Sequence, residues 1–315
     1  MKYDLINILA CPECGSNFKL QVYDVENKEI KSGRLICEKN LHNYKIINFI
    51  PRFVLSDEYA DNFSFEWDKH KQTQFDSISG INESETMFRQ KTGFDANKLS
   101  EKLVLDVGCG SGRYMEVVQK YGGHIVGIDL SYSVDVAFKN LGFKKNVDVI
   151  QADVFKLPFK KEIFDNIFSI GVLHHTPNTR KAFECLPQFL KKGGEIAIWV
   201  YSNEGLSMKL INSISWLYRL MTTRLPKQWI YKFSYISLPL YRLKTISFIR
   251  PILELILPTS THKLRDWRIL DTFDWYSPKY QWKHTHKEVM KWFADTGLVE
   301  IKKSDIAVSV KGKKC

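Results

Sequence analysis

The chain has 315 residues and a net charge of +11, from 46 Lys and Arg against 35 Asp and Glu. With 44% hydrophobic and 26% charged residues it reads as an ordinary folded protein, which excludes a low-complexity chain. Its longest apolar stretches, such as Ile252–Leu257, fall far short of the ~18 residues a membrane-spanning helix needs.

The opening Met1-Lys2-Tyr3-Asp4 leads into no long apolar run with a small-residue cleavage site, so no signal peptide is expected. The six cysteines form no even framework of spacings. They suit a reducing compartment, and a cytoplasmic location is expected. Cys11-Pro12-Glu13-Cys14 is followed by Cys37 and His42. Two short turns that each offer soft ligands are what a tetrahedral zinc ion requires. Four such ligands would close the site, so a structural zinc is expected and a catalytic one is not. The competing reading is a degenerate knuckle without metal. Leu35-Ile36, Tyr44–Ile47 and Ile50–Val54 read as short strands around it. This gives a small β domain over residues 1–55.

Residues 56–98 are polar and aromatic, with Phe63, Phe65, Trp67 and Phe75. Glu83–Phe94 is expected to form a helix across a bound cofactor; a plain linker is the alternative. The most telling run comes next: Val104-Leu105-Asp106-Val107-Gly108-Cys109-Gly110-Ser111-Gly112-Arg113, with Asp129 after Gly127-Ile128. It reads as strand, glycine turn and helix start, then a second strand ending in a carboxylate. Glycines let the backbone approach a ligand. An acidic residue about 20 positions on is placed for ribose hydroxyls. The glycine pattern misses the dinucleotide fingerprint, because Arg113 stands where the third spaced glycine should be. Asp106 suits a cationic amino-acid moiety better than a pyrophosphate.

This run resembles motif I of the class I S-adenosylmethionine-dependent methyltransferases. The likeness continues at Gln151-Ala152-Asp153-Val154 with Leu157-Pro158-Phe159, at Phe164–Ile170, at Val172-Leu173-His174-His175 and at Leu190–Ile196. Residues 5–55 resemble the zinc-ribbon-like domain that accompanies several such enzymes, with Phe49 in place of a glycine. The resemblance implies an α/β fold with a doubly wound, mainly parallel seven-stranded sheet. It implies S-adenosylmethionine as cofactor, held by Asp106, Gly108, Cys109, Gly110, Asp129, Leu130, Asp153, Val154 and Gly171. Strands are expected near 102–107, 124–129, 147–151, 165–170 and 194–201, with a helix over Arg113–Tyr121. Methyl transfer needs alignment and, for an alcohol or phenol acceptor, a base. His174 and His175 follow the fourth core strand at its carboxyl end and are the candidate bases. Tyr201 is expected to line the acceptor pocket, Tyr114 and Trp199 to serve packing.

Residues 203–283 interrupt the core. Between Asn203 and Arg268 eleven Lys and Arg face three acidic residues, a local excess of +8. Aromatics alternate with these cations, and Pro226, Pro239, Pro251 and Pro258 cut the segment into short helical pieces. A substrate lid, a membrane-surface segment and a nucleic-acid surface compete here with an ordinary helical subdomain. The Leu- and Ile-rich sequence favours the lid, with peripheral membrane contact through 203–268. Asp271, Asp274, Tyr280 and His284 are expected at the acceptor site. The core resumes over 284–315, with a helix at Thr285–Thr296 and a closing strand pair at Val299–Lys303 and Ile306–Val310. The expected function is methyl transfer to a small or amphiphilic acceptor, a lipid-linked, glycan or secondary-metabolite intermediate. An RNA methyltransferase ranks second, since no Asn-Pro-Pro-Tyr-type motif follows the fourth strand. A non-catalytic cofactor-binding protein ranks third.

Overall fold

The computed structural model describes residues 1–54 and 61–315. The boundary expected between residues 55 and 56 lies outside the described residues. Among the described residues eleven strands form one continuous sheet: β1 Phe18–Glu26, β2 Glu29–Cys37, β3 Asn43–Ile47, β4 Ile50–Arg52, β5 Leu103–Val107, β6 His124–Asp129, β7 Val147–Gln151, β8 Phe164–Ile170, β9 Leu190–Trp199, β10 Leu298–Lys303 and β11 Ser309–Lys314. Their order is β1-β2-β3-β4-β7-β6-β5-β8-β9-β11-β10. The seven strands from β7 to β10 make the expected core: β7, β6, β5, β8 and β9 run parallel, and β11 and β10 close it antiparallel.

Near-continuous apolar runs such as Leu103-Val104-Leu105 occupy the middle of the sheet because both of its faces are covered. The helices Arg113–Lys120 and Glu83–Thr92 pack on it, with Met115, Val118 and Phe88 completely buried. The Glu83–Thr92 helix begins where Asp76 accepts the backbone N–H groups of Ser84 and Glu85, each at 2.9 Å, which satisfies two of its unpaired first-turn donors.

The four N-terminal strands are antiparallel among themselves and extend the core sheet rather than forming a separate layer. β4 lies parallel to β7, pairing Arg52 with Gln151. This covers what would otherwise be an exposed sheet edge.

The last strand differs from expectation, running over Ser309–Lys314 instead of Ile306–Val310. Its lysines are compatible with a strand because each finds an acceptor beside the sheet. Lys311 reaches Glu195 at 2.9 Å and Lys314 reaches Glu162 at 2.9 Å. The interruption folds into helices Leu206–Thr222, Lys227–Ser234, Ser237–Leu243, Arg250–Ile256 and Arg265–Tyr276. Pro239 does not break its helix. It sits in the first turn, where the missing N–H has no intrahelical partner to lose. No helix among the described residues is long and apolar enough to cross a membrane.

Candidate active site and metal centre

A cavity of about 720 Å³ opens at the carboxyl ends of β5, β6, β8 and β9, where doubly wound sheets bind ligands. One half is built from the glycine turn. Val107–Gly110, Ile128, Asp129, Leu130, Ala152, Val154 and Gly171 line it. Gly108 has φ +83°, and a Cβ there would lie 2.3 Å from Val172. Only glycine tolerates both the left-handed backbone and the close approach. The Asp129 carboxylate accepts the Gly110 N–H at 3.0 Å, the Ser131 N–H at 2.9 Å and the Ser131 hydroxyl at 2.7 Å. These bonds fix the carboxylate at the cavity wall, while burial pushes its proton affinity up against them. The turn, the acidic strand end and the open cavity suit the nucleoside and amino-acid ends of S-adenosylmethionine.

Two residues expected on this wall lie off it. Asp106 is buried behind the wall, its Oδ2 without a hydrogen-bond partner among the described residues. Burial, and then the neighbouring Asp129, push its carboxyl well above the usual range. Such an oxygen is the natural partner of a donor brought by a ligand. Asp153 is outside the wall because its carboxylate caps a turn, accepting the Phe155 N–H at 3.0 Å.

The other half is built from core residues just beyond β8 and β9, joined by residues before the core and within the interruption. His175 lies on the wall, its Nδ1 2.8 Å from the Tyr280 carbonyl. A carbonyl can only accept, so Nδ1 carries the proton and Nε2 of the neutral ring holds the lone pair. Nε2 has no hydrogen-bond partner among the described residues and stands 3.9 Å from Asp274 Oδ1. Tyr201 donates its hydroxyl to Asp274 Oδ2 at 2.8 Å. Burial lowers the His175 pKa to about 4, with Asp274 opposing it. Asp271 also lines the cavity. Burial raises its pKa to about 6, although Ser260 donates to it at 3.1 Å.

His174, Tyr280 and His284 do not line the cavity. His174 is fully buried, with ring centroids 4.1 Å from His175 and 3.9 Å from Tyr201. Its pKa is driven well below the ordinary value by that burial. It packs under the site. Tyr280 contributes its carbonyl, not its ring. His284 is occupied locally, 2.9 Å from Glu288 and 3.0 Å from Thr179. Conversely, Tyr114 and Trp199 reach the wall, although packing was their expected role.

Sequence reasoning missed Glu66, Lys91, Arg113 and Lys283, all on the wall. Burial pushes Glu66 well above the usual carboxylate range, helped by Asp274, Asp271 and Asp129. Arg113 donates to Ser84 at 2.9 Å and lies 4.5 Å from the centre of the Trp267 ring. These side chains come from separate segments, and no local spacing links them.

At the far end of the sheet, one ligand atom from each of Cys11, Cys14, Cys37 and His42 lies within 4.8 Å of the others. Cys11 Sγ is 3.3 Å from His42 Nδ1, and Cys14 Sγ is 3.4 Å from Cys37 Sγ. Tight turns present the sulfurs: the Gly15 N–H donates to the Cys11 carbonyl at 2.7 Å, and the Leu41 N–H to that of Cys37 at 3.1 Å. Three thiols and an imidazole at these separations fit a closed tetrahedral zinc site, whose S···S edges would be about 3.8 Å.

Comparison with known proteins agrees with both halves of the molecule. Residues 105–198 match the family model described as a methyltransferase domain, and residues 2–48 match Trm112p-like protein. A sterol 4-C-methyltransferase of Caenorhabditis elegans is 24% identical over 189 residues, which is 58% of this chain and 53% of that protein. A tRNA (carboxymethyluridine(34)-5-O)-methyltransferase of Arabidopsis thaliana is 35% identical over 108 residues, 33% of this chain and 25% of that protein. The match thus spans about half or less of the length of these relatives. Among solved structures, magnesium protoporphyrin IX methyltransferase from Synechocystis PCC 6803 is similar with a TM-score of 0.47 and 14% identity, covering 82% of this chain and 98% of that one. The chain carries a methyltransferase domain over residues 105–198 and, in front of it, a Trm112p-like domain over residues 2–48 that holds the Cys11, Cys14, Cys37 and His42 cluster.

Proposed function

We propose that this chain transfers a methyl group from S-adenosylmethionine to a small or amphiphilic acceptor seated between His175 and the interruption. The observation that carries the reading is a single cavity that joins the glycine turn and Asp129 to His175 and Asp274. Bound S-adenosylmethionine supplies a methyl group made electrophilic by its sulfonium. Gly108, Cys109, Gly110, Asp129, Leu130, Val154 and Gly171 hold and orient it. Alignment of this kind is worth on the order of 7–11 kcal/mol at best. His175 Nε2 takes the acceptor's proton. The Tyr280 carbonyl keeps the ring in the tautomer whose lone pair is on Nε2. Asp274 stabilises the imidazolium that forms, and Tyr201 holds Asp274 in place.

The amphiphilic class is supported by the helix Leu206–Thr222. Met208, Ile211 and Asn212 line the cavity, while Leu206, Leu210, Leu217 and Met221 form an exposed stripe on the opposite face. Trp216, Trp229 and Phe248 are also more than half exposed, among basic residues such as Arg224 and Lys232. This arrangement suits a peripheral position on an anionic lipid surface.

A second reading takes a tRNA acceptor. It is favoured by the 35% identity to the Arabidopsis enzyme and by the basic interruption. Incubation with radiolabelled S-adenosylmethionine and separate lipid, glycan and tRNA fractions tests both. Label in lipid or glycan extracts supports the first reading. Label in tRNA, with salt-sensitive binding, replaces it with the second. Label in no fraction, with the cofactor tightly bound, leaves a cofactor-binding protein without this activity.

A further inference from the structure

We infer that the acceptor presents an anionic group, a phosphate or a carboxylate, to Lys283 and Lys91. The inference rests on the methyltransferase reading of this cavity and names the chemical class of its acceptor.

Lys283 is held rigidly. Its neighbour His284 donates its N–H to the Tyr201 carbonyl at 2.8 Å, and the Trp282 N–H donates to the His174 carbonyl at 2.9 Å. The segment therefore runs beside the end of β9. Lys283 Nζ lies 4.3 Å from the centre of the Tyr201 ring and 4.5 Å from that of Trp275. This nitrogen is buried and has no hydrogen-bond partner among the described residues. An ammonium carries three donors, and ring faces satisfy its charge without accepting those hydrogens in the manner of an oxygen. The charged groups facing it are Arg219, which repels it, and Asp274, which attracts it but is already bonded to Tyr201.

Lys91, half-buried, adds a second ammonium group. It reaches the wall from the helix Glu83–Thr92, its Nζ 3.6 Å from the centre of a Trp199 ring, with no hydrogen bond or ion pair among the described residues. Arg113 repels it and Asp271 attracts it. The Trp199 and Tyr201 rings are 5.5 Å apart, and Tyr201 stacks on Trp275 at 5.9 Å. Two ammonium groups thus flank one aromatic row next to His175. A buried donor such as Lys283 Nζ is nearly always satisfied, so its missing acceptor is one that the ligand brings. An anionic oxygen serves both the hydrogen bonds and the charge.

Burial lowers both ammonium groups to a pKa of about 7. Each is charged below that value and neutral above it. Anion binding to the free protein therefore weakens as pH rises through about 7.

The test uses the full-length, zinc-loaded chain saturated with S-adenosylhomocysteine. It is titrated calorimetrically with octanoate, octyl phosphate, octanol and octyltrimethylammonium. At least one of the two anions is expected to bind about tenfold or more tightly than octanol, and which one identifies the headgroup. Octanoate stays ionised from pH 6 to 9, so it carries the pH series and its preference over octanol should decline across that range. Lys283→Met should remove most of the preference and leave S-adenosylhomocysteine affinity unchanged, while Lys283→Arg keeps it. Octanol or the cation binding as tightly as both anions overturns the inference alone. So does a preference that survives in both Lys283→Met and Lys91→Met. If the methionine variants do not fold, a preference that stays flat from pH 6 to 9 overturns it. Failure of S-adenosylhomocysteine to bind at all overturns the methyltransferase reading, and this inference with it.

Discussion

The core carries two additions, and they attach in opposite ways. The N-terminal strands join by backbone pairing and extend the sheet through β4 and β7. Their contact is also clamped by side chains. Arg52 binds Asp135 at 2.7 and 3.1 Å and Gln151 at 3.0 Å, and Gln151 donates to the Leu130 carbonyl at 2.9 Å. The interruption joins mainly by side-chain packing, with a backbone bond from the Trp282 N–H to the His174 carbonyl at 2.9 Å beside the sheet. Its last helix, Arg265–Tyr276, buries Trp267, Leu270, Phe273 and Tyr276, while its first leaves a row of leucines in solvent. One addition braces the cofactor loop from behind. The other supplies Asp271, Asp274 and Trp275 to the cavity and turns an apolar face outward.

The largest effect expected from breaking this comparison is on the N-terminal unit. Cys11→Ser with Cys14→Ser, or complete chelation, should remove about one zinc per chain and unfold the unit, because structural zinc in small domains contributes on the order of 10 kcal/mol or more. Metal analysis and melting curves read both. Full stability after chelation contradicts the metal site.

Next in size is the chemistry. His175→Gln should lower kcat by about 10²–10⁴-fold, with cofactor affinity unchanged, as measured by single-turnover methyl transfer. Asp274→Ala should also lower kcat, by a smaller factor. The His175 pKa of about 4 in the fold lies below the ordinary 6.5. The unfolded chain therefore binds more protons between these values. His175 contributes stability that is present above about 6.5 and is lost as pH falls towards 4. Urea midpoints at successive pH values should show this slope, and His175→Gln should flatten it.

A smaller effect is expected at the clamp. Arg52→Ala leaves Asp135 and the side chain of Gln151 without their shared partner. It should cost about 1–3 kcal/mol of stability and weaken cofactor binding several-fold through the loop that holds Asp129. Unchanged cofactor affinity would show that the N-terminal unit does not brace that loop. The smallest effect on stability is expected on the outer face of the interruption. Leu217→Ser with Met221→Ser should change stability by about 0.5 kcal/mol or less per site. The same pair should reduce co-sedimentation with anionic vesicles. Undiminished vesicle binding would remove this face from the lipid reading.

The two additions also differ in how legible they were. The metal ligands and the glycine turn are local patterns, because a knuckle and a tight turn each impose their residue types over a few positions. Tyr201 was recognisable at a strand end, and Asp271 and Asp274 in a polar, aromatic run before the last helix. Lys91, Lys283 and Glu66 were not, since their roles exist only once distant segments meet. His284 illustrates the opposite error. Thr285 caps the helix His286–Asp295, so His284 stands one position before the cap and four before Glu288. That spacing already pointed to the local 2.9 Å pairing that occupies its ring.

The most direct test is calorimetric binding of S-adenosylmethionine and S-adenosylhomocysteine to the zinc-loaded chain and to Asp129→Ala. Micromolar binding by the wild type, lost in the folded variant, is the expected result and corresponds to about 8 kcal/mol. No binding to a folded, zinc-loaded wild type, or equal binding by Asp129→Ala, would contradict the cofactor site on which the account rests.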